Sequence, residues 1–473
     1  MRRTGHRLAW QARRLYSAAL LPLAFMGAAH AASSPEASAD SASLASVVLA
    51  RLALEDQPLC AAVAVTGREE MRSTTVCRQA GEKIDTHSVF EIGSVSKAFA
   101  GILLQRLVQD GRVRLDDPLG RFVTLPKGID SRRAANLTLR SLATHTSGLP
   151  RSPPRLSGTS AADPFAALTG ASIVEALDHE IPAGPSGARF TYSHYGFMLL
   201  GLAESRASGE SYEQLLSEQI LTPLGLHETG LGSNATLDAH RVSGHDGALH
   251  LGRVWRVNPE LSAATGMVST LSDMALFARG NLVSELKAPP QRSRLEQAMV
   301  DSHAELFAGD GLSVGTAWLR ATDQDKLIVS ISGQTGGYHA FVGFSVATEC
   351  AVVVLVNGDV DLDDLGLHLI DARLPTKRTH VARSLEGIDL SELTGEYRLR
   401  PGVVLSVSAL KGRLFARVTG QPAIELSNEG RDQFFAGEVN AVLLFNRDRD
   451  AHVTGLTLLQ NGRPADAPKV RRP

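Results

Sequence analysis

Apolar residues recur along this chain with two different periods, and the switches between them divide it into regions. From Ser43 to Leu54 the positions Leu44, Val47, Val48 and Leu52 share one helical face. Two strand-like runs follow, residues 59–66 and 73–80, around a turn near Gly67-Arg68-Glu69-Glu70. Ser88–Ile92 then leads into a strong helix predicted over residues 94–110. Its apolar positions Val95, Phe99, Ile102, Leu103 and Leu107 keep helical spacing, and Gly111 is a natural stop. Residues 112–320 mix helical stretches with Gly- and Pro-rich loops. Three more strands are expected at residues 327–331, 339–344 and 351–357, followed by a helix over 362–371.

Residues 372–390 break the pattern. They are basic and irregular, with Arg373, Pro375, Lys377, Arg378 and Arg383, and read as a linker. From Leu393 onward the period is two: short runs at 396–399, 403–408, 414–418, 433–435, 441–446 and 453–460, with turn signals such as Lys411-Gly412 and Asn461-Gly462. This spacing predicts a small antiparallel barrel or sandwich over 391–473. No internal repeat is visible.

The first residues follow neither period. Arg2, Arg3, Arg7, Arg13 and Arg14 precede an apolar stretch, Leu15–Gly27, and Ala29-His30-Ala31 supplies small residues for cleavage. This is an export signal, with cleavage expected after Ala31 and a polar linker over 32–42. The apolar stretch is too short to span a bilayer, and no other segment is longer, so no stable membrane span is expected after cleavage. The expected location is periplasmic or secreted. That compartment permits disulfides. A turn centred between Arg68 and Glu69 sets Cys60 opposite Cys77, either as a cross-strand bridge or as two free thiols. Cys350 lies in an apolar run and reads as core packing.

Composition narrows the function classes. The 473 residues are 43% hydrophobic and 21% charged, with a net charge of −2 and three cysteines. These values fit globular domains, give no reason to expect nucleic acid as a partner, and exclude a cysteine-rich metal module. No metal-ligand spacing such as His-Glu-x-x-His occurs, and no glycine-rich phosphate loop, so neither metal nor cofactor is expected. His145, in its Thr-His-Thr-Ser-Gly turn, reads as a hydrogen-bonded structural residue.

Three short stretches carry chemistry. In Gly93-Ser94-Val95-Ser96-Lys97, Ser94 and Lys97 share one helix face. A helix N-terminus disfavours a protonated amine, and desolvation adds to this, so Lys97 can take the serine proton. The same spacing at Ser284–Lys287 and Ser408–Lys411 lacks the preceding extended stretch and glycine. In Tyr192-Ser193-His194-Tyr195-Gly196, a tyrosine beside a lysine can relay protons. In Ile331-Ser332-Gly333-Gln334-Thr335-Gly336-Gly337-Tyr338, glycines after an apolar strand let a substrate lie against the strand edge. A backbone N–H near Gln334, with that of Ser94, can form an oxyanion hole.

In this order and spacing the three stretches resemble those of the serine β-lactamase and penicillin-binding-protein superfamily, in its class C β-lactamase, DD-peptidase and esterase branch. Leu137–Pro150, Pro223-Leu224-Gly225-Leu226 and Gly266–Asp273 look similar to segments of the same family. The resemblance covers about residues 43–371. It implies an α+β fold, an antiparallel sheet flanked by helices with a helical subdomain and a cleft between them. Residues 390–470 resemble the small β appendage of some of these hydrolases. The resemblance also implies Ser94 as acylated nucleophile, Lys97 as its base and Tyr192 as proton shuttle. His194, Ser332, Gly333, Gln334 and Thr335 would line the substrate and oxyanion site.

Two positions depart from the family's pattern. The second stretch usually ends in Asn, where His194 stands. The third usually begins with a cation that holds a substrate carboxylate, where Ile331 stands. His194, titratable near neutral pH, is a candidate to restore that positive charge. The expected function is therefore an exported serine acyl-hydrolase acting on a small-molecule or peptidoglycan-derived ester, amide or β-lactam, with esters favoured. A DD-carboxypeptidase or endopeptidase of peptidoglycan, an acyltransferase, and a weakly catalytic ligand-binding sensor are the alternatives.

Overall fold

The computed structural model describes residues 41–473 except 56–58, 79–82, 128, 130, 154–163, 181–186, 233, 247–254, 310–311, 324–325, 375, 377–381, 401–402, 420, 422, 437–440, 449, 461–462 and 471–473. The expected signal and most of the linker after it lie outside the described residues. The chain divides into two units, residues 1–374 and 375–473.

The first unit is built on one antiparallel sheet. Its strands are β1 (Cys60–Thr66), β2 (Met71–Cys77), β3 (Phe307–Gly309), β4 (Leu312–Val314), β5 (Leu319–Asp323), β6 (Lys326–Gln334), β7 (His339–Ser345) and β8 (Cys350–Val356), in the order β2-β1-β8-β7-β6-β5-β4-β3. The central strands are apolar at successive positions because both faces are covered. Val353 and Leu355 enter one hydrophobic core, while Val352, Val354 and Val356 enter another on the opposite face. Helix α1 (Ser41–Leu52) contributes Leu44, Val48 and Leu52 to the second core. Each side chain so buried contributes roughly 1.5–3 kcal/mol. The hairpin register sets Cys60 opposite Cys77, and the two form a disulfide. Cys350 packs beside the second core and donates its thiol toward the Leu369 carbonyl.

The other core holds the helices that carry the site. A short 3-10 turn, Gly93–Val95, precedes α2 (Ser96–Gln109), so the α-helix begins two residues later than the periodicity predicts. Against it packs α3 (His194–Ser208), whose N-cap Ser193 accepts a hydrogen bond from the Gly196 N–H at 2.9 Å. Ile92 donates to the Met267 carbonyl, which brings the strand Met267–Thr270 and the chain before it against the start of α2. Strand β6 runs three residues past its predicted end. The third stretch therefore begins on the strand itself, and only Thr335–Tyr338 make the turn. Its pairing with β7, Gln334 opposite His339, sustains the extended backbone through the glycine.

The second unit is an eight-stranded antiparallel meander: β9 (Gly395–Arg400), β10 (Val403–Leu410), β11 (Arg413–Val418), β12 (Ile424–Gly430), β13 (Gln433–Ala436), β14 (Ala441–Arg447), β15 (Val453–Gln460) and β16 (Arg463–Pro468). A bridge between Tyr397 and Lys469, and a hydrogen bond from the Val470 N–H to the Glu396 carbonyl at 2.7 Å, join its ends. The meander is thus a barrel. Part of the stretch read as linker is built into it: Leu385, Ile388 and Leu390 pack on its core, and Asn428 donates to the Ser384 carbonyl at 2.6 Å.

Candidate active site

Ser94 sits where three backbone segments converge, and glycine makes the convergence possible. Gly93 has φ +50°, and a side-chain carbon there would meet the Gln334 nitrogen at 2.8 Å. A side-chain carbon on Gly333 would fall 2.0 Å from the Ile92 carbonyl oxygen and 2.7 Å from the Ser94 nitrogen. Strand β6 can therefore lie directly on the turn that carries the serine. The Thr335 N–H bonds the Tyr338 carbonyl, so the alternation of an antiparallel ladder turns the Gln334 N–H away from β7. Strand β5 pairs with β6 only as far as Ser330. The Gln334 N–H thus faces the serine turn across an edge that β5 leaves uncovered.

The side chains follow from the helices. Lys97 lies one turn after Ser94, and its Nζ is 3.0 Å from Ser94 Oγ. Tyr192, two residues before α3, places its hydroxyl 2.7 Å from the same oxygen. Ser94 is 6% exposed and Lys97 1%. Lys97 Nζ also lies 2.6 Å from the Ala264 carbonyl oxygen and 3.2 Å from His194 Nδ1. A neutral amine has two protons and one lone pair. The carbonyl can only accept, and a neutral His194 with its proton on Nε2 accepts at Nδ1. The two amine protons are then used, and the lone pair is left for the serine hydroxyl.

The electrostatics agree with this assignment. Burial pulls the Lys97 amine below its ordinary range; the Tyr192 phenol opposes the drop and the Arg151 charge adds to it. Burial pushes the Tyr192 phenol up, but the Lys97 charge, the hydrogen bond to Ser94 and the Arg151 charge together bring it below its ordinary value. Behind the phenol stands His145, its ring 4.4 Å from that of Tyr192. Its Nδ1 accepts from the Ser193 N–H at 3.0 Å, and burial keeps it neutral. His145 thus fixes Tyr192 by packing and by holding the next residue's backbone.

The structure corrects two expectations. His194 does not restore the charge that Ile331 lacks. Burial first, then the charges of Lys97 and Arg151, hold its imidazole well below the usual histidine range. Ser332 does not present its side chain to the cleft. Strand alternation puts Ile331 in the helix-facing core and Ser332 on the opposite face, where its hydroxyl donates to Asp363. Gln334 likewise sends its side chain to Asp359 and offers only its backbone to the serine turn. Thr335 is buried in the turn that ends β6. Three participants were not legible as such: the Ala264 carbonyl, a backbone atom with no residue-type signal; His145, read as structural without its partner; and Arg151, which directly follows the Leu137–Pro150 segment and belongs to no motif.

An antiparallel sheet, a buried serine–lysine pair and a phenol on the same oxygen define a serine acyl-transfer class of protein. The comparisons agree. The family model described as Beta-lactamase matches residues 49–374, and the chain belongs to that family. It is 25% identical over 311 residues to a beta-lactamase of Pseudomonas fluorescens, covering 58% of this chain and 81% of the relative. It is 26% identical over 280 residues to the D-alanyl-D-alanine-carboxypeptidase/endopeptidase AmpH of Escherichia coli, covering 57% and 71%. The octameric penicillin-binding protein homologue from Pyrococcus abyssi shares the fold with a TM-score of 0.61 at 18% identity, covering 90% of this chain and 100% of that one.

Proposed function

We propose that this protein is an exported serine acyl-hydrolase that forms an acyl-enzyme on Ser94 and favours esters. The observation that carries the reading is the single oxygen, Ser94 Oγ, held 3.0 Å from a buried amine and 2.7 Å from a phenol. Ser94 Oγ attacks the carbonyl carbon while its proton passes to Lys97. The carbonyl electron pair moves onto oxygen, which the N–H groups of Ser94 and Gln334 stabilise. On collapse the bond to the leaving oxygen breaks. That oxygen takes the Tyr192 proton, and Lys97 returns a proton to Tyr192. Water then attacks acyl-Ser94, loses a proton along the same pair, and restores the serine. Ester and water give acid and alcohol.

The lean toward esters rests on Ile331, which is buried and carries no charge for a carboxylate at that point of the strand. Peptides ending in D-Ala-D-Ala are the second reading, and the AmpH relative favours them. Export is supported by the Cys60–Cys77 disulfide, which fits an oxidising compartment. No helix among the described residues is long and apolar enough to cross a membrane.

Mass spectrometry after exposure to a fluorophosphonate and, separately, a labelled penicillin tests the nucleophile. An adduct on Ser94 is expected; none with either reagent would leave a ligand-binding protein in its place. Rates on a p-nitrophenyl short-chain ester, a chromogenic cephalosporin and a D-Ala-D-Ala peptide then rank the substrates. The ester should have the largest kcat/KM, and a clear preference for the cephalosporin overturns that ranking. Mature protein from the native host should begin at Ala32.

A further inference from the structure

Arg151 is an exposed arginine that, among the described residues, has no carboxylate partner and no side-chain hydrogen bond. It is nevertheless held in place. Its carbonyl accepts the His194 N–H at 2.8 Å, which ties it to the first residue of α3. Its guanidinium carbon lies 5.1 Å from the centroid of the Tyr192 ring, a stacking distance for a cation. Tyr192 is the group that reaches the leaving oxygen in the mechanism above. Among the described residues the other basic group at this ring is the Lys97 amine, also 5.1 Å from the centroid, and both neighbouring imidazoles are neutral. Among the described residues, the rim beside Tyr192 therefore carries the Arg151 charge with no carboxylate paired to it. On β6, Ile331 is apolar. An anionic substrate group finds no charge at Ile331, but it finds a planar fork of donors beside the phenol.

We propose that Arg151 is a specificity-determining residue that binds a carboxylate on the leaving group of the substrate. This names a substrate class for the proposed acyl-hydrolase and rests on that reading: acyl esters or amides of a hydroxy or amino acid, cleaved so that the acid-bearing half departs first. The carboxylate itself is unchanged in the reaction. It orients the leaving oxygen against the Tyr192 hydroxyl.

The test compares 3-acetoxybenzoate with its methyl ester, methyl 3-acetoxybenzoate. The acyl group and leaving phenol are matched, and only the free carboxylate differs. The wild-type protein should favour the acid by about tenfold or more in kcat/KM, mostly through KM, as befits one charged hydrogen-bond pair. Arg151→Gln should erase that preference, so that the acid and the methyl ester react with similar kcat/KM whatever the variant's absolute rate, and Arg151→Lys should restore part of it. Protection of Ser94 from a fluorophosphonate by 3-hydroxybenzoate, but not by its methyl ester, reads the same contact without turnover. A preference or protection that survives in Arg151→Gln, or none in the wild type while Ser94 still labels, overturns the assignment and leaves the hydrolase reading standing. Failure of Ser94 to label at all overturns the hydrolase reading, and this inference falls with it.

Discussion

The start of α2 and the end of β6 were both read from short motifs, and they turned out differently. At α2 the residue types are the chemistry. Serine and lysine three apart must share a helix face, so their side chains meet wherever that helix forms. At β6 the residue types mislead. A strand sends alternate side chains to opposite faces. Ser332 and Gln334 point to Asp363 and Asp359, while the strand offers the cleft a backbone N–H and a bare glycine. A helical motif is read by its side chains, whereas a motif on a strand edge is read by its main chain.

The largest test of that contrast is at α2. Ser94→Ala should abolish fluorophosphonate labelling and lower kcat/KM on the ester by about ten-thousand-fold, and Lys97→Met should come close to it, because residues acting as a unit lose nearly everything together. Retention of more than a few per cent of wild-type activity in Ser94→Ala would move the nucleophile elsewhere. Next comes the main-chain claim. Gly333→Ala places a carbon against the Ile92 carbonyl, where neither backbone can yield. It should destabilise the fold by about 1–3 kcal/mol or more. It should also lower activity further than the lost stability explains. A variant with wild-type melting temperature and activity would show that β6 does not press on the serine turn.

The pH profile sharpens the role of the α2 pair. Protonated Lys97 cannot accept the serine proton, so kcat/KM should fall as pH drops through its pKa, which lies below the ordinary 10.5. Ionised Tyr192 cannot donate to the leaving oxygen, so activity should fall again at high pH, through a pKa below the ordinary 10.0. The two limbs belong to the coupled pair rather than to either residue. Tyr192→Phe should remove the alkaline limb and slow the ester by about a hundredfold or more. An unchanged alkaline limb in that variant would assign it to another group.

Much of this architecture was legible because it is local. The Cys60–Cys77 register follows from counting out from a four-residue turn, and β8 announced itself as an unbroken Val-rich run because both its faces are covered. Two barrel strands were missed. Ile424–Gly430 carries only two apolar side chains, and Arg463–Pro468 contains two prolines. Their pairing is set by neighbours far along the chain. The site was legible where a spacing fixed contact, as at Ser94 and Lys97. Neither the Ala264 carbonyl nor the stacking of Arg151 on Tyr192 has a local signature. Each depends on where a distant segment packs, and the neutral state of His194 depends on a burial that no spacing encodes.

The smallest effect is the most pointed one. Serine at the second position of the third stretch invites a role in substrate binding, and the family resemblance assigns it one. The hydroxyl of Ser332 instead donates to Asp363, which also accepts from His339 Nε2 at 3.0 Å. Ser332→Ala therefore removes one charged hydrogen bond behind the sheet and nothing in front of it. Stability should fall by about 1.5–3 kcal/mol or less, since the Asp363 carboxylate is partly exposed and keeps a second partner. The kcat/KM on the ester should change by less than about threefold, within what a small backbone adjustment produces. Thermal denaturation and steady-state kinetics on the same preparation separate the two readouts. Loss of activity by more than an order of magnitude at unchanged melting temperature would mean that the hydroxyl reaches the substrate. The face assignment of β6 would then be wrong by one residue, and with it the conclusion that this strand serves the cleft through its main chain.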